Sequence, residues 1–384
     1  MIRLSDALAN LNRKKSEDSN GAPPTVDEVR SALADRGLSR VAVEDLADMP
    51  LTAGQDVEFL RSLQREFSGL GALVEVMTDS AVTDVVVNPD GSVWVDRGDG
   101  MERTTVQLSQ AEVHDLAVHL AARCETRLDS AMPFADGVLT DLPAEVPAAA
   151  LRVHCVLSPP AQDGPCISVR ALSKGLGNLQ TLAATGMVPD QLENLLRHEV
   201  LARKNILISG GTGAGKTSLL TALLAEVPHD QRMIVLEDTP EIIAEHPHTI
   251  SLTARRANAE GTGQISMGEL VRQCLRMRPD RIVVGEIRGA EISDLLVALN
   301  TGHAGSAGTL HANSPEAIPG RLEALGAMAG MPPRSLVRQA LDGIDTLVHV
   351  ARTSHGRRIT HMSRLVERDG ALGIETFWRY GGTP

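Results

Sequence analysis

The sequence predicts an α/β protein in which a smaller α+β domain precedes a larger domain built on a largely parallel sheet. The chain has 384 residues, too many for one domain of average size. From residue 180 to residue 384, short apolar runs alternate with helical patterns, which is typical of a parallel sheet. Between residues 66 and 173 the apolar runs form a hairpin signal, a helix and further strands instead. We therefore expect two domains of different architecture.

The first 65 residues fall outside both domains. Residues 1–25 end in the polar, turn-forming run KKSEDSNGAPPT, which predicts a flexible N-terminus and linker. Residues 26–65 predict a small helical region, because Thr25 has the residue type of an N-cap and Gly37 that of a helix stop.

The α+β domain is predicted from four patterns within residues 66–173. Pro89-Asp90-Gly91 separates two β-type runs, which is a hairpin signal. A helical pattern covers residues 110–123, and residues 153–157 and 166–170 predict two further strands. The run KGLGN, residues 174–178, has two glycines and no periodicity, so we expect the domain linker there.

Three short apolar runs predict the main strands of the second domain. They are NILIS at residues 205–209, MIVLE at 233–237 and RIVVG at 281–285. Strands of a parallel sheet are buried on both faces, which accounts for their continuous apolar character. At the C-terminal end, Asp369-Gly370 predicts a hairpin.

Composition disfavours several functional classes. The formal net charge is −12 and aromatic residues make up 2% of the chain, which disfavours a dedicated nucleic-acid-binding protein. The four cysteines form no C-x-x-C pair, so no zinc or disulfide framework is expected. No apolar run has the length of a membrane helix, and the N-terminus has no secretory h-region. We expect a cytoplasmic protein that reaches a membrane only through partners.

A phosphate-binding loop is the strongest motif. The chain matches G-x-x-x-x-G-K-[ST] between a strand-type run and a helix-type run. Backbone amides of such a loop cradle phosphate oxygens, the lysine reaches the β- and γ-phosphates, and the hydroxyl binds Mg²⁺. The expected ATP ligands are Gly210, Gly211, Thr212, Gly213, Ala214, Gly215, Lys216, Thr217 and the following Ser218.

Two further strands end in acids. Glu237 closes MIVLE, and Glu286 follows RIVVG. If these strands flank the phosphate-loop strand, both carboxylates face the γ-phosphate, because ligands bind beyond the carboxyl ends of parallel strands. One of them can then hold Mg²⁺ and the other orient the attacking water. Gly285 is interpreted as room for the nucleotide to approach.

Histidines and arginines supply weaker candidates. His303 and His311 have no third metal-ligand residue nearby, so zinc is not expected, and a γ-phosphate sensor is one open interpretation. In an oligomeric ATPase, arginines of a neighbouring subunit often complete the site. Arg152 and Arg170 are candidates for that role, whereas Arg255 and Arg288 are isolated in the sequence.

Four segments together resemble a known family. GGTGAGKTS, IVLEDTPEI, LRMRPDRIVVGEIRG and NTGHAGSAGTLHANSP resemble the Walker A, Asp, Walker B and His boxes of the type II and type IV secretion ATPases. With DGPCISVR, the chain is most similar to the CpaF-like branch that assembles Flp/Tad pili. The resemblance implies a RecA-like P-loop ATPase domain, a homohexamer, ATP and Mg²⁺, and work on platform proteins of the inner membrane.

The resemblance also implies roles for individual residues. Its catalytic set corresponds to Lys216, Glu237, Glu286, Arg288, His303 and His311, with Thr217 and the two glutamates at the metal and Arg152, Arg170 and Arg255 at the nucleotide. Two alternatives stay open at this point. One is a nucleic-acid motor of the RecA or helicase class, and the other is a nucleotide-dependent scaffold that does not hydrolyse ATP.

Overall fold

The structure, a computed structural model, describes residues 69–98, 100–172, 177–255, 257 and 262–381. The chain divides into two compact units, residues 1–173 and 174–384. The expected N-terminal linker (1–25) and the helical region (26–65) lie outside the described residues. No helix in the described ranges is both long and apolar enough to cross a membrane.

An antiparallel sheet forms the first unit. Its six strands lie in the order β3-β2-β1-β6-β5-β4, and each neighbouring pair is antiparallel. The elements are α1 (Leu73–Met77), β1 (Asp84–Val87), β2 (Ser92–Asp96), β3 (Met101–Gln107), α2 (Gln110–Arg123), β4 (Phe134–Leu139), β5 (Ala150–Val156) and β6 (Cys166–Leu172).

Helix α2 has the bounds that its sequence predicts. The Ser109 hydroxyl accepts a hydrogen bond from the backbone amide of Glu112, and the Glu112 carboxylate accepts one from the amide of Ser109, a capping box that starts the helix. Val113 and Leu120 are fully buried in the core of the unit. Strands β3 and β4 were not predicted, because β3 (MERTTVQ) is mostly polar and β4 contains Gly137.

The second unit contains a mixed sheet and most of the helices. Its elements are α3 (Leu179–Ala184), α4 (Asp190–Leu201), β7 (Ile206–Gly210), α5 (Lys216–Leu224), β8 (Met233–Glu237), β9 (Thr249–Thr253), α6 (Met267–Cys274), β10 (Arg281–Ile287), α7 (Glu291–Asn300), β11 (Ala307–His311), a 3₁₀ turn (Pro315–Ala317), α8 (Ile318–Met328), α9 (Pro333–Gly343), β12 (Thr346–Thr353), β13 (Gly356–Arg368) and β14 (Ala371–Arg379).

The sheet of the second unit has the order β14-β13-β12-β7-β11-β10-β8-β9. The six strands from β12 to β9 are parallel, and β13 and β14 extend the sheet as an antiparallel hairpin. Side chains alternate between two cores: Leu207 packs in one with α6 to α9, whereas Ile206 and Ile208 pack in the other with α3 to α5. Both faces are therefore covered, as the continuous apolar runs require.

The strand order corrects one expectation. The two acids were expected to face the γ-phosphate if β8 and β10 flank β7, but the neighbours of β7 are β11 and β12. With strands about 4.8 Å apart, β10 lies about 10 Å from β7 and β8 about 14 Å. Strand β11 was not predicted, because its sequence, AGTLH, has only one large apolar residue.

Candidate active site

The phosphate loop joins β7 to α5, so the motif has the strand–loop–helix context that it requires. Gly215 precedes α5 with φ of +97°, a left-handed conformation that favours glycine. A side chain there would also lie 2.7 Å from the Met187 methyl carbon. At the other end of the loop, a side chain on Gly210 would collide with the carbonyl oxygen of Val350. Both glycines are therefore needed for the loop to fit between its neighbours.

Lys216 lies over the loop that it is expected to serve. Its Nζ donates hydrogen bonds to the carbonyl oxygens of Gly210 and Gly211, each at 3.0 Å. Burial lowers the pKa of Lys216, the charge of Arg288 lowers it further, and the carboxylates of Glu286 and Glu241 partly offset this. Within the described residues no carboxylate is bound directly to the ammonium group, which can exchange two carbonyl contacts for phosphate oxygens.

Glu286 reaches the loop from β10 through an irregular strand end. The pairing of β10 with β11 shifts register between Val284 and Ile287, and such a bulge re-aims the side chains within it. Burial alone would raise the pKa of the Glu286 carboxyl, but the Arg288 hydrogen bond and the nearby charges of Arg288, Lys216 and His311 hold it below its ordinary value. The carboxylate is ionised at neutral pH and electrostatically coupled to Lys216.

Arg288 holds Glu286 in this position. One of its terminal nitrogens lies 2.5 Å from Glu286 Oε2, and the other lies 3.9 Å from an Asp238 carboxylate oxygen. The guanidinium is half exposed, so it sits between two acids and solvent. Arg288 therefore joins the ends of β10 and β8.

Glu237 has a different environment. It is buried at 4% exposure, and its Oε1 accepts hydrogen bonds from the backbone amides of Glu241 and Ile242, each at 3.0 Å. Burial raises its pKa to about 7, against these two hydrogen bonds. A side chain on Gly285 would lie 2.8 Å from Glu237 Cγ. Gly285 thus makes room for Glu237, which corrects its interpretation as room for the nucleotide.

The two histidines lie at opposite ends of β11. His311 is the last residue of that strand and pairs with Gly210, the first glycine of the loop. His303 precedes the strand, where its Nδ1 is 3.1 Å from the Ala298 carbonyl oxygen and its own carbonyl accepts from Ser306. The structure brings His311 to the phosphate loop and leaves His303 at the amino edge of the sheet, away from the loop.

The other three candidate arginines lie on other elements. Arg255 follows β9, the edge strand four positions from β7, and its Nε donates to the Gly263 carbonyl at 2.6 Å. Arg152 and Arg170 belong to the first unit, where they are paired across β5 and β6. Arg170 also forms an ion pair with Asp84 at 2.8 Å.

The donor set fits Mg²⁺. This cation takes oxygen ligands and is typically held by one or two protein oxygens together with phosphates and water. Thr217 is the second residue of α5, beside the loop, and the Glu286 carboxylate is ionised. Thr217 and Glu286 would hold the ion. Glu237 is a poorer candidate, because its Oε1 is already occupied by two amides.

Three neighbours of the site were not predicted as functional residues. Asp238 and Glu241 interact electrostatically with Arg288, and Glu241 also with Lys216. Both lie in the IVLEDTPEI segment, which was a usable signal. His349 of β12 has no such signal: it is buried, and its Nδ1 is 2.9 Å from the Ser209 hydroxyl, one residue before the loop.

Comparisons with known proteins identify the family of the chain. Residues 67–371 match the T2SSE family, described as "Type II/IV secretion system protein". The chain is 46% identical over 321 residues to a putative conjugal transfer protein of Mycobacterium tuberculosis, covering 83% of this chain and 91% of that protein. It is 32% identical over 311 residues to the probable conjugal transfer protein TrbB of Sinorhizobium fredii, covering 79% and 90%.

Two solved structures share the fold. The Legionella pneumophila ATPase DotB has a TM-score of 0.54 at 19% identity, over 84% of each chain. The pilus retraction motor PilT with bound ADP has a TM-score of 0.53 at 18% identity, over 80% of this chain and 82% of that one. The family match over residues 67–371 shows that the chain belongs to the type II/IV secretion system protein family and is an ATPase.

Proposed function

We propose that this protein is a motor of the secretion class, in which a RecA-like second unit hydrolyses ATP to drive a machine at the inner membrane. The observation that carries the proposal is the cluster of Lys216, Glu286, Arg288 and His311 at the carboxyl ends of parallel strands. A scaffold that only binds nucleotide has no need for an ionised carboxylate held beside the phosphate-loop lysine.

Each residue of the site has a separate role in the proposed hydrolysis. Lys216 transfers from the loop carbonyls to the β- and γ-phosphates and offsets their charge. Glu286 orients the attacking water, while Arg288 fixes its carboxylate and His311 lies beside the first glycine of the loop. Mg²⁺, when bound to Thr217 and Glu286, supplies charge neutralisation at the phosphates.

Glu237 is assigned a supporting part in the same reaction. Its pKa of about 7 is in the range of a general base at neutral pH. Its strand, however, lies about 14 Å from β7, and its Oε1 is engaged by the amides of Glu241 and Ile242. We assign Glu237 to holding the 238–242 segment, which carries Asp238 and Glu241, toward Arg288 and Lys216.

A homohexamer is the proposed assembly, with Arg152 or Arg170 of one subunit completing the ATP site of the next. Heterologous interfaces that close by rotation form such rings. Because the arginine acts on charge developing in the transition state, Arg170→Ala should lower kcat more than ATP affinity. Arg103→Ala, on the exposed strand β3, is the matched control.

Mixed rings test whether the arginine acts across the subunit boundary. Neither Arg170→Ala nor Lys216→Ala alone is expected to hydrolyse ATP efficiently, but a Lys216→Ala subunit would supply its Arg170 to an intact phosphate loop. Mixtures should therefore regain part of the wild-type ATPase activity. Inactive mixtures, with mixed rings demonstrated by native mass spectrometry, would restrict Arg170 to its own chain.

Flp/Tad pilus assembly is the specific machine that we propose, on the resemblance of the four boxes and of DGPCISVR to the CpaF-like branch. A conjugal transfer machine is the second candidate, because two relatives bear that name. Deleting the chain's gene in its host and complementing with wild type or Lys216→Ala distinguishes them. Loss of surface fibres supports the pilus, and loss of plasmid transfer with fibres intact supports conjugation.

The proposed partners are platform proteins of the inner membrane, through which this cytoplasmic ATPase reaches the membrane. Direct DNA binding is not expected at a net charge of −12. Duplex DNA titrated into the protein at low and high salt tests this point, because phosphate-driven binding weakens steeply with salt. Tight, salt-dependent binding would favour the nucleic-acid motor instead.

A further inference from the structure

A cleft leads away from the catalytic cluster within the second unit. Its volume is about 580 Å³, and its lining includes Glu286, Arg288, His311, Asn313, Gly320 and Arg321. The first three residues border the phosphate loop, whereas Gly320 and Arg321 belong to the first turn of α8. The cleft therefore extends from the candidate catalytic residues to a helix that no step of the proposed hydrolysis uses.

The charges along the cleft are uneven. At its mouth, Glu286 and Arg288 form an ion pair, so their charges offset each other. At its far side, Arg321 adds a second cation, and its Nε is buried without a hydrogen-bond partner among the described residues. A buried donor without an acceptor is costly, and an oxyanion in the cleft would give the guanidinium an acceptor.

The surroundings of Arg321 suit a small anion. A side chain built on Gly320 would meet nothing within 4 Å, so the first turn of α8 is open toward the space that the cleft occupies. Asn313 contributes an exposed amide to the same lining. Arginine pairs strongly with phosphate oxygens through its fork of N–H donors.

We propose that the cleft is a binding site for the inorganic phosphate released by hydrolysis, with Arg321 as the residue that receives it. The inference rests on the ATP hydrolysis proposed at the phosphate loop. After water attacks the γ-phosphorus and the bond to the ADP oxygen breaks, phosphate leaves past His311 and Glu286 toward Arg321. ADP meanwhile stays in the loop. Phosphate held in the cleft delays the next turnover.

Inhibition of ATP hydrolysis by inorganic phosphate tests the site. The assay follows ADP formed from radiolabelled ATP by chromatography, because added phosphate masks a phosphate-release assay, and potassium chloride keeps the ionic strength constant. Phosphate bound only in the loop competes with ATP, whereas phosphate bound in the cleft inhibits even at saturating ATP. We expect the second pattern for the wild type, and an inhibition constant about tenfold higher for Arg321→Gln.

Two further variants make the result specific. Arg321→Lys keeps the charge and should retain part of the phosphate inhibition. Arg338→Gln removes an exposed arginine that is paired with Asp342 on α9. This variant should be inhibited by phosphate to the same extent as the wild type. Purely competitive inhibition, no inhibition of the wild type, or equal inhibition of Arg321→Gln would each overturn the proposal. So would loss of assembly in Arg321→Gln with phosphate inhibition unchanged, because the cleft would then be a protein contact.

The same assay distinguishes a failure of the phosphate-site proposal from a failure of the proposed ATP hydrolysis. A wild-type protein that forms no ADP contradicts the proposed hydrolysis itself. A wild-type protein that forms ADP, but whose phosphate inhibition does not depend on Arg321, contradicts only the assignment of the cleft.

Discussion

Replacing Glu237 by glutamine removes an ionisation that the fold disfavours. Burial raises the pKa of this carboxyl from 4.5 to about 7, although two backbone amides oppose the shift. Folded Glu237 thus binds its proton more tightly than unfolded Glu237. Its contribution to stability is full below the unfolded pKa and is lost as the pH rises through about 7. One pKa unit is worth about 1.4 kcal/mol, so the loss is at most about 3 kcal/mol.

Glutamine keeps the acceptor oxygen for the amides of Glu241 and Ile242 but does not ionise. Relative to the wild type, Glu237→Gln should therefore gain free energy of unfolding as the pH rises from about 5 to about 8, by up to about 3 kcal/mol. Urea unfolding followed by far-UV circular dichroism measures this difference at each pH. Comparing two full-length chains cancels the titrations that they share.

Glu286→Gln is the matched control, because the pKa of Glu286 is shifted in the opposite direction to that of Glu237. Arg288 and the neighbouring cations hold the pKa of Glu286 below its ordinary value in spite of burial. Its stabilising contribution is present above the unfolded pKa and is lost as the pH falls through the folded one. This variant should have a lower free energy of unfolding than the wild type at neutral pH, and the difference should decrease at acidic pH. A Glu237→Gln difference that does not change with pH would refute the reasoning for Glu237.

Three other substitutions test the site. Lys216→Ala should reduce ATP hydrolysis by about 10²- to 10³-fold with an unchanged circular dichroism spectrum, since its Nζ hydrogen-bonds, among the described residues, to the loop carbonyls of Gly210 and Gly211; near-normal turnover would refute its assignment. Glu286→Gln should bind ATP but hydrolyse it about 10²- to 10³-fold more slowly, with Glu237→Gln slowed less; the reverse ranking in a steady-state assay would exchange their roles. Gly285→Ala should lower the free energy of unfolding by about 1–3 kcal/mol because its methyl group would lie 2.8 Å from Glu237 Cγ; an unchanged urea midpoint would contradict the predicted clash.

Much of the second unit could be predicted from contiguous residues. MIVLE has the predicted bounds, residues 233–237, and the loop at 210–217 lies between a strand and a helix as its motif requires. These signals are local: a buried parallel strand needs an unbroken apolar run, and a phosphate loop needs glycines at set positions. The C-terminal hairpin at Asp369-Gly370 was also predicted, and it is formed by β13 and β14.

Strand order could not be predicted in the same way. Strand β11 lies in the sheet between β7 and β10. Its pairing with β7 joins segments about a hundred residues apart, and no local sequence pattern predicts such a pairing. This insertion places His311 beside Gly210 and keeps His303 at the other edge. The two histidines of one motif therefore lie at opposite ends of β11.

By itself, the sequence determined that this chain binds a nucleotide phosphate and has two acidic strand ends, because both features follow from residue types at fixed spacing. Only the tertiary structure decided the protonation states of these two acids. Glu286 is ionised because Arg288 and Lys216 surround it, and Glu237 holds its proton near neutral pH because it is buried beside Gly285. The physical reason is that a carboxyl group's pKa depends on solvent and charges brought near by folding, which residue order alone does not reveal.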